Sequence, residues 1–263
     1  AFSQISMGRL AAVITVLIWT SFIIVARASA SHVLLPLDIA CARILGASSV
    51  LLPWAWWLMR DARQRGEKVG SLFGLSPLPL RVTVQAGMLG GFLYSLLAYI
   101  GFFYAPAGHA SVLMPGSLPL WTTLLMWLFL REHIGLNRAI GLGMIVCGDI
   151  LVGGISLLKA FDGGDVWIGD LLFITAAFCW SAYSVTVRHY GLDAVRATMA
   201  ITAFALVSFV PAYALLVNLN VLPSHMAQAS WAEILFQAVF QGVGSVVISG
   251  ITFTQMIRTF GPV

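Results

Sequence analysis

Aromatic side chains inside long apolar stretches are the residues of this sequence best suited to contact a small molecule. Trp19, Trp121 and Trp180 each lie well inside an apolar stretch, away from its ends. An indole ring can stack on a ligand while its N–H donates a hydrogen bond. Helix packing is the alternative role for each tryptophan. Because similar segments begin at Trp19 and Trp180, we predict that these two contribute to one binding site.

Phenol and amide groups in the same stretches form a second set of candidates. Such groups need hydrogen-bond partners when they leave water, and a cavity that binds a polar ligand would supply them. Hydrogen bonding between helices is the alternative role, worth about 0.6 kcal/mol per bond on average in membranes. With both roles open, the predicted contributors to a substrate site besides the tryptophans are Gln85, Tyr94, Tyr99, Tyr183 and Gln241.

Two charged residues and two prolines also lie inside apolar stretches. A lone charge is costly at membrane depth, so we expect Arg43 and Asp149 to form a buried ion pair. The alternatives are that neighbouring hydroxyls cap Asp149, or that its carboxylate has a proton-coupling role. Pro115 and Pro119 each remove a backbone donor, one turn apart, which predicts a kink or flexing point in their helix.

All these residues are carried by apolar runs that recur about eight times in the 263 residues. Residues 10–26, for example, contain no charge, and a helix needs roughly 20 apolar residues to cross a bilayer. Only 9% of all residues are charged, compared with about 25% in a soluble domain. The sequence therefore predicts an all-α, polytopic membrane helix bundle, with spans near 8–30, 36–59, 83–105, 107–130, 137–158, 166–188, 193–217 and 232–259.

Lysine and arginine are distributed unevenly between the two sides of this predicted bundle. Cytoplasmic loops of membrane proteins are enriched in these residues, which predicts a cytoplasmic N-terminus. Placement at helix ends also explains the net charge of +4 without nucleic-acid binding. The cytoplasmic side would hold Arg9, Arg60, Arg63, Arg65, Lys68, Arg81, Arg131, Arg138, Arg188, Arg196 and Arg258, and the other side only Arg27 and Lys159.

The sequence contains an internal repeat. Residues 19–27 resemble residues 180–188, since each segment has Trp, small polar residues, an apolar half-turn and then Arg. An odd number of spans separates them, so the two copies must insert with opposite topology, as in many secondary transporters. We expect one repeat in 1–160, a second in 161–263, and two further helices beyond residue 263. Shorter matches follow in the same order: Gln85-Ala86 with Gln237-Ala238, and Tyr104-Ala105-Pro106 with Phe260-Gly261-Pro262.

Taken in order, these motifs resemble the ten-helix branch of the drug/metabolite transporter superfamily, which duplicates a five-helix EamA unit. The resemblance covers essentially the whole chain and rests on Trp19 with Ser21, on Arg43, and on residues 104–132. It implies an exporter of the bacterial inner membrane with cytoplasmic termini and a central cavity, to which Ser21 would contribute beside Trp19. The richness in aromatic residues at mid-membrane is most similar to bacterial aromatic amino-acid exporters.

The function that we predict is alternating-access export of small metabolites, with amino acids, including aromatic ones, as substrates. Another small organic solute, or a channel activity, is the alternative, although no ring of like charges is visible. A membrane-embedded enzyme would need a motif such as H-E-x-x-H or G-x-S-x-G, and the sequence has neither. We expect a small-molecule substrate and membrane lipid as partners, and neither nucleic acid, cofactor nor metal. The oligomeric state stays open.

Overall fold

The computed structural model describes residues 4–29, 33–66, 70–160 and 164–260, apart from some side chains of the first and fifth helices. Within these residues eight helices are long and apolar enough to cross a membrane. Their bounds differ from the predicted ones by a few residues, and the prediction of a polytopic helix bundle is confirmed. The helices are α1 (Gln4–Ser29), α2 (Pro36–Gln64), α3 (Leu80–Tyr104), α4 (Ala107–Leu130), α5 (Leu136–Ala160), α6 (Val166–Tyr190), α7 (Ala194–Asn218) and α8 (Trp231–Phe260).

Local signals in the sequence fix several helix ends. Pro36 opens α2, where a residue without an N–H loses nothing, and α6 ends at Gly191 with φ +56°. The Asp193 carboxylate caps α7 by accepting hydrogen bonds from the backbone N–H groups of Val195 and Arg196, both at 3.1 Å. Such caps satisfy donors that have no partner inside the helix.

Short loops make consecutive helices run in opposite directions. One end of the bundle, here called the basic end, carries most of the arginines, and the other is called the opposite end. Odd-numbered helices begin at the basic end and even-numbered helices begin at the opposite end. The side chain of Arg27, Lys68 and the predicted match at Gly261-Pro262 lie outside the described residues. The basic end is defined by Arg60, Arg81, Arg131, Arg188 and Arg258.

Helices α3 and α8 share an irregularity that hydropathy does not reveal. Each has a π-helical middle, Gly87–Leu93 in α3 and Ala238–Ile248 in α8, with α-helix on both sides. The matching Gln-Ala pairs of the sequence stand where these two segments begin. π-Helical turns are rare and are frequent at functional sites.

Packing around the two π-helical segments is reciprocal. The segment of α8 packs against α2 and that of α3 packs against α7, while the last part of α8 packs against α1 and that of α3 against α6. Exchanging α1 with α6, α2 with α7 and α3 with α8 maps each of these contacts onto another. Glycines permit the close approaches: a Cβ on Gly46 would lie 2.0 Å from the carbonyl oxygen of Ala238, and one on Gly91 2.8 Å from that of Ile201.

Helices α1 and α5 lie at the periphery. Helix α1 runs antiparallel to the last part of α8, with the hydroxyl oxygens of Thr15 and Thr252 2.7 Å apart. Helix α5 contacts α4 and α6 and exposes most of its surface. The inner helices α2, α3, α4, α6 and α8 therefore provide most of the surface around the centre of the bundle.

Candidate functional site

A cavity lies in the middle of the bundle, between α1, α2, α3, α4, α6 and α8. It extends from Trp180 and Ser249, near the middle of their helices, to Phe102 and Ala107 at the opposite end. Its empty space, counting the open mouth, is about 770 Å³. We call it the central cavity. Its lining also includes Trp19, Phe22, Arg43, Tyr94, Ala110, Met114, Pro115, Leu118, Ala177 and Ser245.

Aromatic rings form one wall of the central cavity. The ring centroid of Phe253 lies 5.1 Å from that of Trp19 and 5.5 Å from that of Trp180. Tyr94 packs on Trp180 from α3, with ring centroids 4.8 Å apart. We call these four residues the aromatic wall; Trp19, Tyr94 and Trp180 line the cavity, and Phe253 contacts the two tryptophans without lining it. The two tryptophans of the sequence repeat thus meet at one cavity, together with the predicted Tyr94.

A packed apolar cluster lies between the aromatic wall and the basic end. Tyr183 is almost fully buried there, and its hydroxyl oxygen lies 3.4 Å from that of Thr254. Val187 and Ile257 continue the same apolar cluster towards the loops. The predicted substrate residue Tyr183 therefore lies beneath the cavity and does not line it.

A smaller recess adjoins the central cavity between α2, α3, α6, α7 and α8. The two spaces share Arg43, Trp180 and Ser245, whereas Thr202 lines the recess and not the central cavity. The recess has about 410 Å³ of empty space. A ligand that reaches these shared residues therefore meets one charged group, one indole and one hydroxyl.

The predicted ion pair between Arg43 and Asp149 is not formed. Arg43 is 8% exposed, and its Nη1 donates a hydrogen bond to the Tyr99 hydroxyl at 3.3 Å, while its guanidinium carbon lies 6.0 Å from the Tyr99 ring centroid. Asp149 instead accepts a hydrogen bond from Ser117 at 3.4 Å, beside Gly116. The prediction failed because α5 packs against α4 and α6, whereas Arg43 projects from α2 onto α3. The alternative prediction, a hydroxyl cap on Asp149, agrees with the structure.

Two further predicted residues form hydrogen bonds away from the central cavity. Gln85 donates a hydrogen bond to the Thr186 hydroxyl at 3.3 Å and lines a separate cavity near the basic end. Trp121 donates its indole N–H to the Ile174 carbonyl at 3.2 Å and lines a groove between α4, α5 and α6. The bonds of both residues are interhelical, the alternative role considered for them.

Ser21 and Gln241 also lie away from the central cavity. Ser21 is exposed on α1 and donates a hydrogen bond to the Leu17 carbonyl at 2.8 Å. Gln241 is buried in the π-helical segment of α8, and its side-chain oxygen has no hydrogen-bond partner within the described structure. Pro115 lines the cavity and Pro119 does not, within a helix that runs unbroken from Ala107 to Leu130.

Two buried aspartates at the opposite end were not predicted from the sequence. Asp38 is fully buried and accepts hydrogen bonds from the Tyr213 hydroxyl at 2.5 Å and from the backbone N–H groups of His225 and Leu35 at 2.9 and 3.0 Å. Asp170 lies 2.8 Å from Nδ1 of His109. Their positions close to predicted loops gave no signal of burial. In the part of the chain that the structure describes, no cluster of His, Cys, Asp or Glu could hold a metal ion.

A membrane-length helix bundle around an aromatic cavity has the architecture of a small-molecule carrier. The family comparison agrees: the model of the EamA-like transporter family matches residues 6–154, and the chain belongs to this family. The earlier resemblance to the drug/metabolite transporter superfamily is thereby confirmed at the level of the family.

Two curated relatives carry the same general description. The chain is 25% identical over 201 residues to an uncharacterized transporter of Archaeoglobus fulgidus, covering 76% of this chain and 64% of the relative. It is 33% identical over 107 residues to the uncharacterized transporter YdfC of Bacillus subtilis, covering 40% of this chain and 32% of the relative. The chain thus spans less than two thirds of the length of either relative. No solved structure gives a significant match.

Proposed function

We propose that the protein exports small amphiphilic metabolites, aromatic amino acids among them, across the bacterial inner membrane. The observation that carries this proposal is the aromatic wall of the central cavity. Trp19, Tyr94 and Trp180 line the cavity at mid-membrane, where a flat apolar substrate can stack on them. Stacked aromatic pairs gain about 0.5–1.5 kcal/mol beyond the burial of their surface.

Alternating access is the proposed mechanism. The central cavity extends towards the opposite end, while the packed apolar cluster around Tyr183 and Ile257 lies towards the basic end. The reciprocal packing of α1–α3 and α6–α8 supports two inverted repeats, one in 1–160 and one in 161–263. Rocking of one repeat against the other would open the packed side and close the other.

The proposed orientation places the basic end in the cytoplasm, since cytoplasmic loops are rich in arginine. The cavity would then extend towards the extracytoplasmic side, which is the side of release for an exporter. A channel is the competing mechanism, and the packed side chains between the aromatic wall and the basic end argue against a continuous pore.

Counterflow in proteoliposomes tests the proposal. Vesicles that contain the protein and unlabelled L-tryptophan should accumulate labelled L-tryptophan with saturable kinetics, and other aromatic amino acids should compete. Trp180→Leu should abolish this exchange, whereas Trp127→Leu, at a position 51% exposed on α4, should retain it. Non-saturable flux would indicate a channel. Absence of exchange for every amino acid tested would overturn the proposed substrate.

A further inference from the structure

We propose that Arg43 is the anion-binding end of the central cavity, and that the transported solutes are amphiphilic carboxylates, whether or not they carry an ammonium group. This inference rests on the proposed function and names the chemical class of its substrate. The sequence predicted a carboxylate of the chain itself as the partner of Arg43. The structure instead places this cation at the junction of two empty spaces.

Arg43 has no carboxylate counterion among the described residues. Among the described residues no carboxylate lies within salt-bridge distance of its guanidinium group, and its hydrogen-bond partner is the neutral hydroxyl of Tyr99. A guanidinium group has five N–H donors. An unpaired cation is expensive in a buried, membrane-embedded site. A substrate anion that enters the cavity would supply the missing charge.

Unpaired hydrogen-bonding groups lie in the same two spaces as Arg43. The indole N–H of Trp180, which is 8% exposed, has no hydrogen-bond partner within the described structure, although its ring lines both spaces. The hydroxyl of Thr202 in the recess is likewise unpaired. A carboxylate offers two acceptor oxygens, and it fits the planar fork of a guanidinium group better than any neutral acceptor does.

The lining offers less to the ammonium group of an amino acid than to its carboxylate. The described lining of the central cavity and the recess contains Arg43 but neither aspartate nor glutamate. An ammonium group would find only hydroxyls, such as that of Ser245, and ring faces. The carboxylate should therefore provide the charge recognition, while the aromatic wall holds the apolar body of the solute.

Three indole ligands that differ by one group test this inference. L-tryptophan has both charged groups, indole-3-propionate lacks the ammonium group, and tryptamine lacks the carboxylate. Binding to the purified, detergent-solubilised chain is measured by titration calorimetry. L-tryptophan and indole-3-propionate should bind within about tenfold of each other, and tryptamine about 100-fold more weakly, as expected for loss of a desolvated charge pair.

Variants of Arg43 complete the test. Arg43→Gln should weaken both carboxylates about 100-fold and leave tryptamine unchanged, whereas Arg43→Lys should retain part of the affinity. Arg60→Gln is the matched control, because it removes an exposed arginine from the basic end of the same helix and should leave the affinities for all three ligands unchanged. Size-exclusion profiles and melting temperatures confirm that each variant is folded.

The outcomes separate this inference from the proposed function. If tryptamine binds as well as indole-3-propionate, or if Arg43→Gln leaves carboxylate binding unchanged, the anion site is wrong while amino-acid export can stand. If indole-3-propionate binds but no amino acid does, amino-acid export is wrong and the anion site stands. Absence of binding by all three ligands overturns both.

Discussion

Trp180 lies at the centre of the aromatic wall, with ring centroids at 4.8 Å from Tyr94, 5.1 Å from Tyr183 and 5.5 Å from Phe253. Its ring is held by these contacts, but its N–H is not used by the described protein. An unpaired buried donor lowers stability. At the scale of single residues, we therefore propose that the packed ring and unpaired N–H of Trp180 serve a ligand.

Replacement of Trp180 by phenylalanine tests this assignment. Trp180→Phe keeps a ring in the wall and removes the unpaired N–H, so it should cost less than about 1.5 kcal/mol of stability. Affinity for the transported solute should fall about fivefold to tenfold, as expected for one hydrogen bond. The two readouts are the melting temperature and the dissociation constant from calorimetry.

Trp19→Phe is the control, because the Trp19 N–H already donates to the Ser249 hydroxyl at 3.2 Å. That variant should lose stability by breaking an internal bond. An unchanged ligand affinity in Trp180→Phe would show that its N–H faces no substrate.

Whether a predicted residue reaches the central cavity depends on its direction around the helix. Trp19, Tyr94 and Trp180 line the cavity, and the repeat had pointed to two of them, while their predicted role in substrate binding stays a prediction. Trp121 lies at a similar depth yet turns towards α6, and Ser21 lies on an exposed face. Sequence gives depth along a helix in a membrane, but helices that are apolar on every side give no sign of which face points inward.

At the scale of elements, the helix ranges followed from hydropathy, and the π-helical segments did not. A π-helical turn holds one more residue than an α-helical turn, and this does not interrupt the apolar stretch. The hydropathy pattern of α3 and α8 therefore looks continuous. The Gln-Ala match pointed to these positions without revealing their geometry. Glycines allow the close packing of these segments: Gly46 of α2 lies against the α8 segment, and Gly91 within the α3 segment lies against α7.

Alanine substitution of Gly46 tests the importance of this contact. The added Cβ would lie 2.0 Å from the backbone oxygen of Ala238, which no rotamer change can relieve. We expect a loss of about 3 kcal/mol or more, at the upper end of overpacking costs, seen as a lower melting temperature in detergent. Gly244→Ala is the control, since a Cβ there meets nothing within 4 Å. Equal melting temperatures for the two variants would contradict the close packing of α2 on α8.

Asp38 connects three elements at the opposite end. Its carboxylate binds the start of α2, the Tyr213 hydroxyl of α7 and the backbone of the loop before α8 at His225. Asp38→Asn keeps the size but replaces one acceptor oxygen with a donor. Because hydrogen bonds to a buried charged group contribute about 1.5–3 kcal/mol each, we expect destabilisation of about 3 kcal/mol, measured by thermal unfolding.

Tyr213→Phe provides the comparison for Asp38. It removes one of the three donors and leaves both backbone bonds to the carboxylate. The loss should be about half of that in Asp38→Asn. A larger effect of Tyr213→Phe would show that the tyrosine, and not the aspartate, organises this end.

At the scale of the whole molecule, the reciprocal packing around α3 and α8 pairs the same helices that the short sequence matches pair. Repeat positions in the sequence matched only at a few residues, since lipid and packing both accept many apolar side chains. Contacts between helices preserve more of the relation. A Cβ on Gly91 of the α3 segment would lie 2.8 Å from the Ile201 carbonyl oxygen of α7, and one on Gly242 of the α8 segment 2.7 Å from the Arg43 carbonyl oxygen of α2. This relation is the structural support for two inverted repeats.

Inversion makes a prediction for the α2–α3 and α7–α8 loops. They occupy equivalent places in the proposed repeats, but the structure puts the first at the basic end and the second at the opposite end. Gln64 and Gln228 are exposed in or beside these loops, so Gln64→Cys and Gln228→Cys can be labelled in separate variants. Cys147, which is exposed on α5, is first replaced by alanine in both variants. A membrane-impermeant maleimide should label Gln228→Cys in intact cells and Gln64→Cys only in inside-out vesicles. Labelling of both from one side would exclude inverted repeats, and labelling in the reverse sense would keep the repeats while placing the basic end outside the cytoplasm.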